Sequence, residues 1–441
     1  MDRFRPLACL AVLVPCLLAA SCGPAASSGG SPGTVTPAAS GSPSPTPGLQ
    51  AKVVEIGVLP GGYPGDWLVV GLVANPHDEP IRVEAIQVQL LARAGESMAE
   101  QQVAPAIRRL APDAQAPFAA LFRDVPGAVE AQAQAGAALA DSFRPAALEV
   151  EDLELLPDPG GGWTIFGVLA NPSSGPVTID GLALLARDRT RHSVGLASGA
   201  IYPACMPAGE TSLIVAHLDG AEAEVALEPY IDAAVTTRRM TTPIVVLDDP
   251  QLVWDRQGNP FVVGAIGNTG RQAQHASLLV ELRWQGEPLT SALVSPPLPL
   301  EPDEQRGFTA VDFPGWAARL AAVGGLPEEM EVVAWVDPCR SQASDGLRVL
   351  LELSITQFEP IGERLFVRGQ LHNGTDSPAV NPSVLADART TAGDLLSAGW
   401  LTVGERLGAG ETEEFLLALP WPPRADPGLA EFDFIGAGLA E

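Results

Sequence analysis

A glycine and an asparagine recur four times in this chain, always four residues apart and shortly after an aromatic residue. The copies contain Gly71 and Asn75, Gly167 and Asn171, Gly264 and Asn268, and Gly369 and Asn373. Successive glycines are separated by 96, 97 and 105 residues. A period of this length is the size of a small domain. The sequence therefore predicts four similar domains in tandem.

The motif is typical of a β-strand that ends at the asparagine. In the first copy, Trp67 to Ala74 is apolar on both faces of a strand with period two, which predicts a central strand of a sheet. A glycine inside a strand indicates close approach of a large neighbour, and we expect the upstream aromatic to be that neighbour. The asparagine is expected to end the strand in an Asx-turn, with a ligand or glycan site as the alternative.

Short strand patterns fill the rest of each period, with turn residues between them. This pattern predicts an all-β chain, a tandem array of four Ig-like β-sandwiches that each bury a core of their own. The alanine-rich segment 128–140 is expected to form a loop excursion or a short helix, and the segment 314–320 a short helix. We name the four predicted domains repeats 1 to 4, with bounds 51–145, 146–243, 244–346 and 347–441.

A second recurring feature is a turn before a late strand, as in Pro207-Ala208-Gly209-Glu210 and Gly408-Ala409-Gly410-Glu411. Together with the aromatic strand and the Gly-x-Val-x-Asn pattern, this order of elements resembles the FxLYD family of bacterial β-sandwich domains. The resemblance covers most of residues 51–441. It implies a sandwich fold in exported proteins and lipoproteins, and it brings no functional residues.

The N-terminal segment 1–21 has two arginines followed by a short apolar stretch, which predicts a secretory signal peptide. Its end, Leu18-Ala19-Ala20-Ser21-Cys22, resembles the lipobox of bacterial lipoproteins. This resemblance implies cleavage before Cys22 and lipidation of Cys22, whereas an ordinary signal peptide is the alternative. Residues 22–50 are rich in Gly, Ser, Pro and Thr and are expected to form a disordered tether. We therefore expect a protein attached to the membrane by a lipid, outside the cytoplasm.

The net charge of -27 disfavours nucleic acid as a direct partner. Neither a calcium-loop pattern nor a Cys/His cluster with metal-ligand spacing is present in the sequence, so no metal or other cofactor is expected. Cys205 and Cys339 lie in different repeats. Two alternatives remain open for them: a disulfide between repeats 2 and 3, or two inert thiols.

The sequence contains none of the common catalytic motifs, and the five histidines occupy different places in their repeats. We therefore expect no enzyme activity. The later tryptophans are interpreted mainly as core residues. Among them Trp421, within a proline-rich segment, is the one most expected to be exposed, with a small recognition patch as the alternative. The leading hypothesis is a non-catalytic binding or spacer array at the cell surface, in contact with envelope proteins or cell-wall polymer. The alternative is an accessory subunit of an envelope transport or secretion complex.

Overall fold

The structure is a computed structural model that describes residues 49–61, 63–141, 143–158, 161–219, 225–237 and 240–440. Cys22 and the predicted signal peptide and tether up to residue 48 lie outside the described residues. Residues 48–441 belong to one compact unit, which is almost entirely β-strand. The predicted all-β array of four Ig-like sandwiches is confirmed. Four separate cores, one for each repeat, lie between two layers of strands.

Each sandwich consists of a motif sheet, which contains the strand with the recurring glycine, and an opposite sheet. In repeat 1 the motif sheet has the order β1-β2-β6, and the opposite sheet has the order β4-β3-β7 with the short β5 beside β3. The start of β1 also pairs with β7, so β1 joins the two layers. The strands are β1 Gln50–Pro60, β2 Trp67–Ala74, β3 Ile81–Leu91, β4 Ser97–Val103, β5 Arg109–Leu110, β6 Gln115–Phe122 and β7 Glu130–Leu139.

Repeat 2 has the same two layers. Its motif sheet has the order β12-β14-β9-β8, and its opposite sheet places β10 between β11 and β15, with β13 also on β10. The strands are β8 Glu149–Pro157, β9 Trp163–Ala170, β10 Val177–Arg187, β11 Ser193–Leu196, β12 Ser198–Ile201, β13 Cys205–Met206, β14 Thr211–Leu218 and β15 Ala226–Val235.

In repeat 3 the motif strand β18 pairs with β16, β17 and β21, and the opposite sheet has the order β20-β19-β22. In repeat 4 the motif sheet is β23-β24-β28 and the opposite sheet is β26-β25-β29, with β27 on β25. The elements are β16 Ile244–Val246, β17 Gln251–Trp254, β18 Pro260–Asn268, β19 Leu278–Trp284, β20 Glu287–Val294, β21 Gln305–Ala310, α1 Trp316–Ala322, β22 Met330–Val336, β23 Arg348–Ile361, β24 Arg364–His372, β25 Ala379–Arg389, β26 Leu395–Thr402, β27 Arg406–Leu407, β28 Thr412–Pro420 and β29 Glu431–Ala440. Short 3-10 turns occupy Pro327–Glu329 and Pro427–Leu429.

The motif strand is central in its sheet, as predicted, but the aromatic that covers its glycine was predicted wrongly. Phe118 lies directly across from Gly71 on the paired strand β6. A Cβ at Gly71 would lie 2.5 Å from the Phe118 ring and 2.5 Å from the carbonyl oxygen of Glu55. The glycines of repeats 3 and 4 face Phe308 and Phe415 in the same register. The neighbour therefore comes from another strand, and spacing along one strand could not reveal it.

The motif asparagine forms the predicted Asx-turn and also bonds to a distant part of its repeat. In repeat 2, the Asn171 Oδ1 accepts from the Ser173 N–H, while its Nδ2 donates to the carbonyls of Gly175, Met206 and Pro207 at 2.7–3.2 Å. Its exposed fraction is 1%. Asn75, Asn268 and Asn373 make corresponding bonds. Because these amides are buried, their bonds replace water.

The backbone of the asparagine holds the late turn that the sequence also repeats. The N–H of Asn171 donates to the Glu210 carbonyl, and the Asn171 carbonyl accepts from the Gly209 N–H. The turn residue that donates has a positive φ in every repeat; these residues are Asp113, Gly209, Asp303 and Gly410, with φ of 61°, 75°, 61° and 73°. The two sequence motifs are thus the two halves of one structural unit.

The expectation of a loop excursion or a short helix at 128–140 is wrong. This segment contains β7, which pairs with β3 over most of its length. Alanines at alternate positions, such as Ala131, Ala135 and Ala137, are buried in the core, while the intervening glutamines are exposed. The alternation with period two outweighs the helix propensity of alanine. The other expected helix is present, but it begins at Trp316.

We predict that Gly71→Ala destabilises repeat 1 by about 1–3 kcal/mol, because the new methyl group overlaps the Phe118 ring. The matched control is Gly136→Ala in the same repeat, where a Cβ would meet nothing within 4 Å. We expect this control to leave stability unchanged or slightly higher. Hydrogen exchange of peptides from repeat 1, measured by mass spectrometry, reports the stability of repeat 1 in both variants. Equal protection in the two variants would contradict the packing account.

Candidate functional site

The predicted site residues are distributed through the molecule and do not form one site. The four Gly and Asn pairs lie in four different sandwiches, where their bonds are structural. Of the two alternatives for Cys205 and Cys339, the structure has the disulfide. Within the described residues, no group of His, Cys, Asp or Glu could hold a metal ion, and no helix has the length and apolar character to span a bilayer.

Sheet-on-sheet contacts join successive repeats, and sequence analysis did not find them. In each case the outer face of one motif sheet packs against the opposite sheet of the next repeat. Between repeats 1 and 2, the buried Val70 and Leu72 form an apolar cluster with Leu185. Beside this cluster, Arg187 lies 2.9 Å from Glu55. Burial acts to raise the pKa of Glu55, but hydrogen bonds from Ser193 and Arg187 outweigh it and hold the pKa below its ordinary value.

The junction between repeats 2 and 3 combines the disulfide with a buried carboxylate. Asp337 is 1% exposed, and its Oδ2 accepts from the Ala204 N–H at 2.6 Å. Arg340 donates to the Tyr202 carbonyl at 2.7 Å, and its guanidinium lies 5.0 Å from the centre of the Tyr202 ring. Polar bonds, a cation–π contact and a covalent bond therefore fix the same pair of loops.

The junction between repeats 3 and 4 also combines an apolar cluster with a hydrogen bond to a carboxylate. Leu298 of repeat 3 packs with Leu385 and Ala437 of repeat 4. Asp387 accepts from the Gly307 N–H at 2.8 Å. Burial raises the pKa of Asp387 above its ordinary value, and this effect exceeds the opposing effects of the Gly307 bond and of Arg389.

The residue just before each motif glycine distinguishes inner from terminal repeats. Val70, Phe166 and Val263 are 0–2% exposed at the three junctions, whereas Arg368 of repeat 4 faces solvent. At the other end, the outer face of the opposite sheet of repeat 1 has exposed glutamines, among them Gln87. Repeat arrays need such polar outer faces on their terminal units. The sequence signal for this arrangement is the residue just before the motif glycine. It is apolar where another repeat packs on it and is an arginine in repeat 4.

A cleft of about 620 Å³ opens where repeats 3 and 4 meet, and it is the candidate functional site. Phe261, Phe313 and Trp316 line it from repeat 3, and Phe366 and Ile361 line it from repeat 4. The volume is within the range of small-molecule sites, roughly 300–1,000 Å³, and such sites often lie between domains. Its lining combines aromatic side chains with a few polar groups, which suits reversible binding.

Two of the lining residues are the repeat aromatics themselves. Trp67 and Trp163 stand four residues before their glycines, and both pack against the cores of their sandwiches. Phe261 and Phe366 stand three residues before theirs. Because neighbouring side chains on a strand alternate between faces, this offset of one residue places the two phenylalanines on the outer face, where they line the cleft.

The expectation that Trp421 is exposed is wrong. Its exposed fraction is 6%, and it packs within the core of repeat 4, where it stacks on Phe432 at 5.9 Å between ring centres. Its indole N–H donates to the Ala425 carbonyl at 3.0 Å. The surrounding prolines shape a loop that folds back over the ring, so they do not present it to solvent.

Comparisons with known proteins place the chain in no family. No protein-family model matches it, and a search of curated proteins returns no match. Similar solved structures include native alpha-2-macroglobulin of E. coli, at 10% identity over 88% of this chain and 29% of that chain, with a TM-score of 0.13. Another is the BSP domain of a biofilm associated protein, at 9% identity over 90% of this chain and 98% of that chain, with a TM-score of 0.11. The chain spans about three-tenths of the macroglobulin's length.

We predict that replacing both Cys205 and Cys339 by serine lowers the unfolding free energy of the joined repeats 2 and 3 by about 2–4 kcal/mol. Urea unfolding with and without a thiol reductant measures the effect. Reductant should lower the midpoint of the unmodified protein and leave the double variant unchanged. An unmodified protein that is insensitive to reductant, with fully alkylated cysteines, would contradict the prediction.

Asp387→Asn isolates the effect of the buried carboxylate on pH dependence. A raised folded-state pKa contributes stability below the ordinary value of 3.8, and this contribution is lost as the pH rises through the folded-state pKa. Asparagine keeps an oxygen acceptor for the Gly307 N–H and does not titrate. We therefore expect the stability of the unmodified protein, relative to Asp387→Asn, to fall as pH rises above 3.8. A difference that is flat or rises over this range, in urea titrations at a series of pH values, would contradict the burial argument.

Proposed function

We propose that this protein is a lipid-anchored, extracytoplasmic bacterial lipoprotein whose four stacked repeats form a non-catalytic spacer and binding array. Cys22 carries the lipid, and the predicted tether, which ends where β1 begins at Gln50, connects the array to the membrane. The FxLYD resemblance accords with an exported protein. The observation that supports the array most strongly is the unbroken series of packed junctions between the four repeats.

These junctions suit a spacer because each combines apolar burial with polar bonds that fix orientation. A chain of sandwiches joined only by flexible linkers would reorient freely. Here the faces of successive repeats pack against each other, and one junction is covalently closed. The outermost faces of repeats 1 and 4 carry exposed polar residues such as Gln87 and Arg368, unlike the apolar faces at the junctions. A spacer needs both properties.

The anchor is tested by metabolic labelling with a clickable fatty acid, followed by fractionation. We expect the unmodified chain to be labelled and to sediment with membranes, and Cys22→Ala to be unlabelled and released. Cys16→Ala, which changes another cysteine of the same segment, is the matched control and should behave as the unmodified chain. Labelled, membrane-bound Cys22→Ala would overturn the proposed anchor.

The array is tested by pull-down of the intact protein from cross-linked envelopes. Recovery of cell-wall polymer supports the binding array. Recovery of one membrane complex that depends on a single repeat would instead favour an accessory subunit of a transport or secretion complex. The observation that gives this second candidate weight is the presence of exposed large apolar side chains in repeat 4, such as Leu350 and Leu416.

A further inference from the structure

We infer that the cleft between repeats 3 and 4 is a binding site for a neutral saccharide chain. This inference rests on the proposed binding function and names the ligand class of that site. Its first support is the aromatic lining. Trp316 and Phe366 are partly exposed there, and the buried Phe261 and Phe313 form the wall behind them. The apolar C–H face of a sugar ring can pack on such aromatic rings, whose faces carry negative potential.

The second support is a set of polar groups on the cleft with no partner among the described residues. These groups are the indole N–H of Trp316, the carboxylate of Asp312, the guanidinium of Arg364 and the side-chain amide of Gln257. Two of them only donate hydrogen bonds, one only accepts, and the amide does both. A sugar hydroxyl both donates and accepts, so a hydroxyl-rich ligand can satisfy all four groups.

The third support is that two backbone segments on the walls of the cleft are already hydrogen-bonded. In the turn 255–259, the Asp255 N–H donates to the Asn259 carbonyl, and the Gln257 and Asn259 N–H groups donate to the Asp255 carboxylate. On the other wall, the Glu363 carbonyl accepts from the Trp421 N–H at 2.9 Å. An extended peptide that adds to a sheet needs a row of free backbone groups. The cleft offers side chains instead, which favours a saccharide over a peptide.

The charge of the cleft lining and of the whole chain favours a neutral saccharide over an anionic one. The lining contains three carboxylates, Asp255, Asp312 and Glu363, and one cation, Arg364. The whole chain has a net charge of -27. An anionic polymer would meet repulsion from both, so the site selects uncharged sugars.

The test uses the full-length chain and titration with chitotetraose and cellotetraose, followed by calorimetry and tryptophan fluorescence. We expect one of these neutral sugars to bind. Asp312→Ala and Arg364→Ala should each weaken its binding by about tenfold, the loss expected when a hydrogen bond to a charged group is removed. The matched control is Arg368→Ala, on the same strand but outside the cleft, and it should bind as the unmodified chain does.

Absence of binding by both sugars would overturn the inference, as would sugar binding that is insensitive to Asp312→Ala and Arg364→Ala. Binding of a proline-rich peptide at the same residues, without sugar binding, would assign the cleft to a protein partner and also overturn it. These results are distinct from failure of the proposed anchor. Loss of sugar binding with normal labelling of Cys22 removes only the ligand assignment, whereas labelled Cys22→Ala removes the anchor whatever the cleft binds.

Discussion

The buried asparagine that ends each motif strand is the interaction on which the rest of the structure depends. Its side chain bonds to its own turn and to a carbonyl 32–35 residues further along, such as that of Leu300 or Leu110. Its backbone holds the late turn in place. A buried amide left without partners costs about 1–3 kcal/mol, so these bonds are compatible with one register only. The asparagine thus determines how the two layers of each sandwich meet.

The closed sandwich in turn exposes a defined outer face, on which the next repeat packs. Once Gly71 faces Phe118 and the core, its neighbour Val70 must point outward, since side chains alternate along a strand. This outward position is apolar wherever another repeat follows, and it is Arg368 at the end of the stack. Fold and assembly are therefore determined by adjacent residues of one strand. The cleft lies beside the last junction, between repeat 3 and the β23–β24 hairpin of repeat 4.

Much of this architecture was predictable from sequence because it is local. The glycine and asparagine period gave the number of repeats, and the turn residue after the strand gave the Asx-turn. The contacts of Gly71, Asn171 and Trp421 with distant parts of their repeats were not predictable, because they depend on strand pairing. The alanines of β7 show the same limit: their period of two was present, but composition pointed to a helix. The cleft was not predicted either, although one sequence feature pointed to it. Phe261 and Phe366 stand three residues before their motif glycines instead of four, and both line the cleft.

Native-state hydrogen exchange at the late turns tests the central claim most directly. The N–H groups of Asp113, Gly209, Asp303 and Gly410 lie in loops, but each donates to a buried asparagine carbonyl. Those of Gly95 and Gly393 lie in comparable turns with positive φ and donate only within their own hairpins. If the asparagine closes each sandwich, the first four exchange only when their repeat unfolds, far more slowly than the other two. Exchange of all six at similar rates would contradict the account.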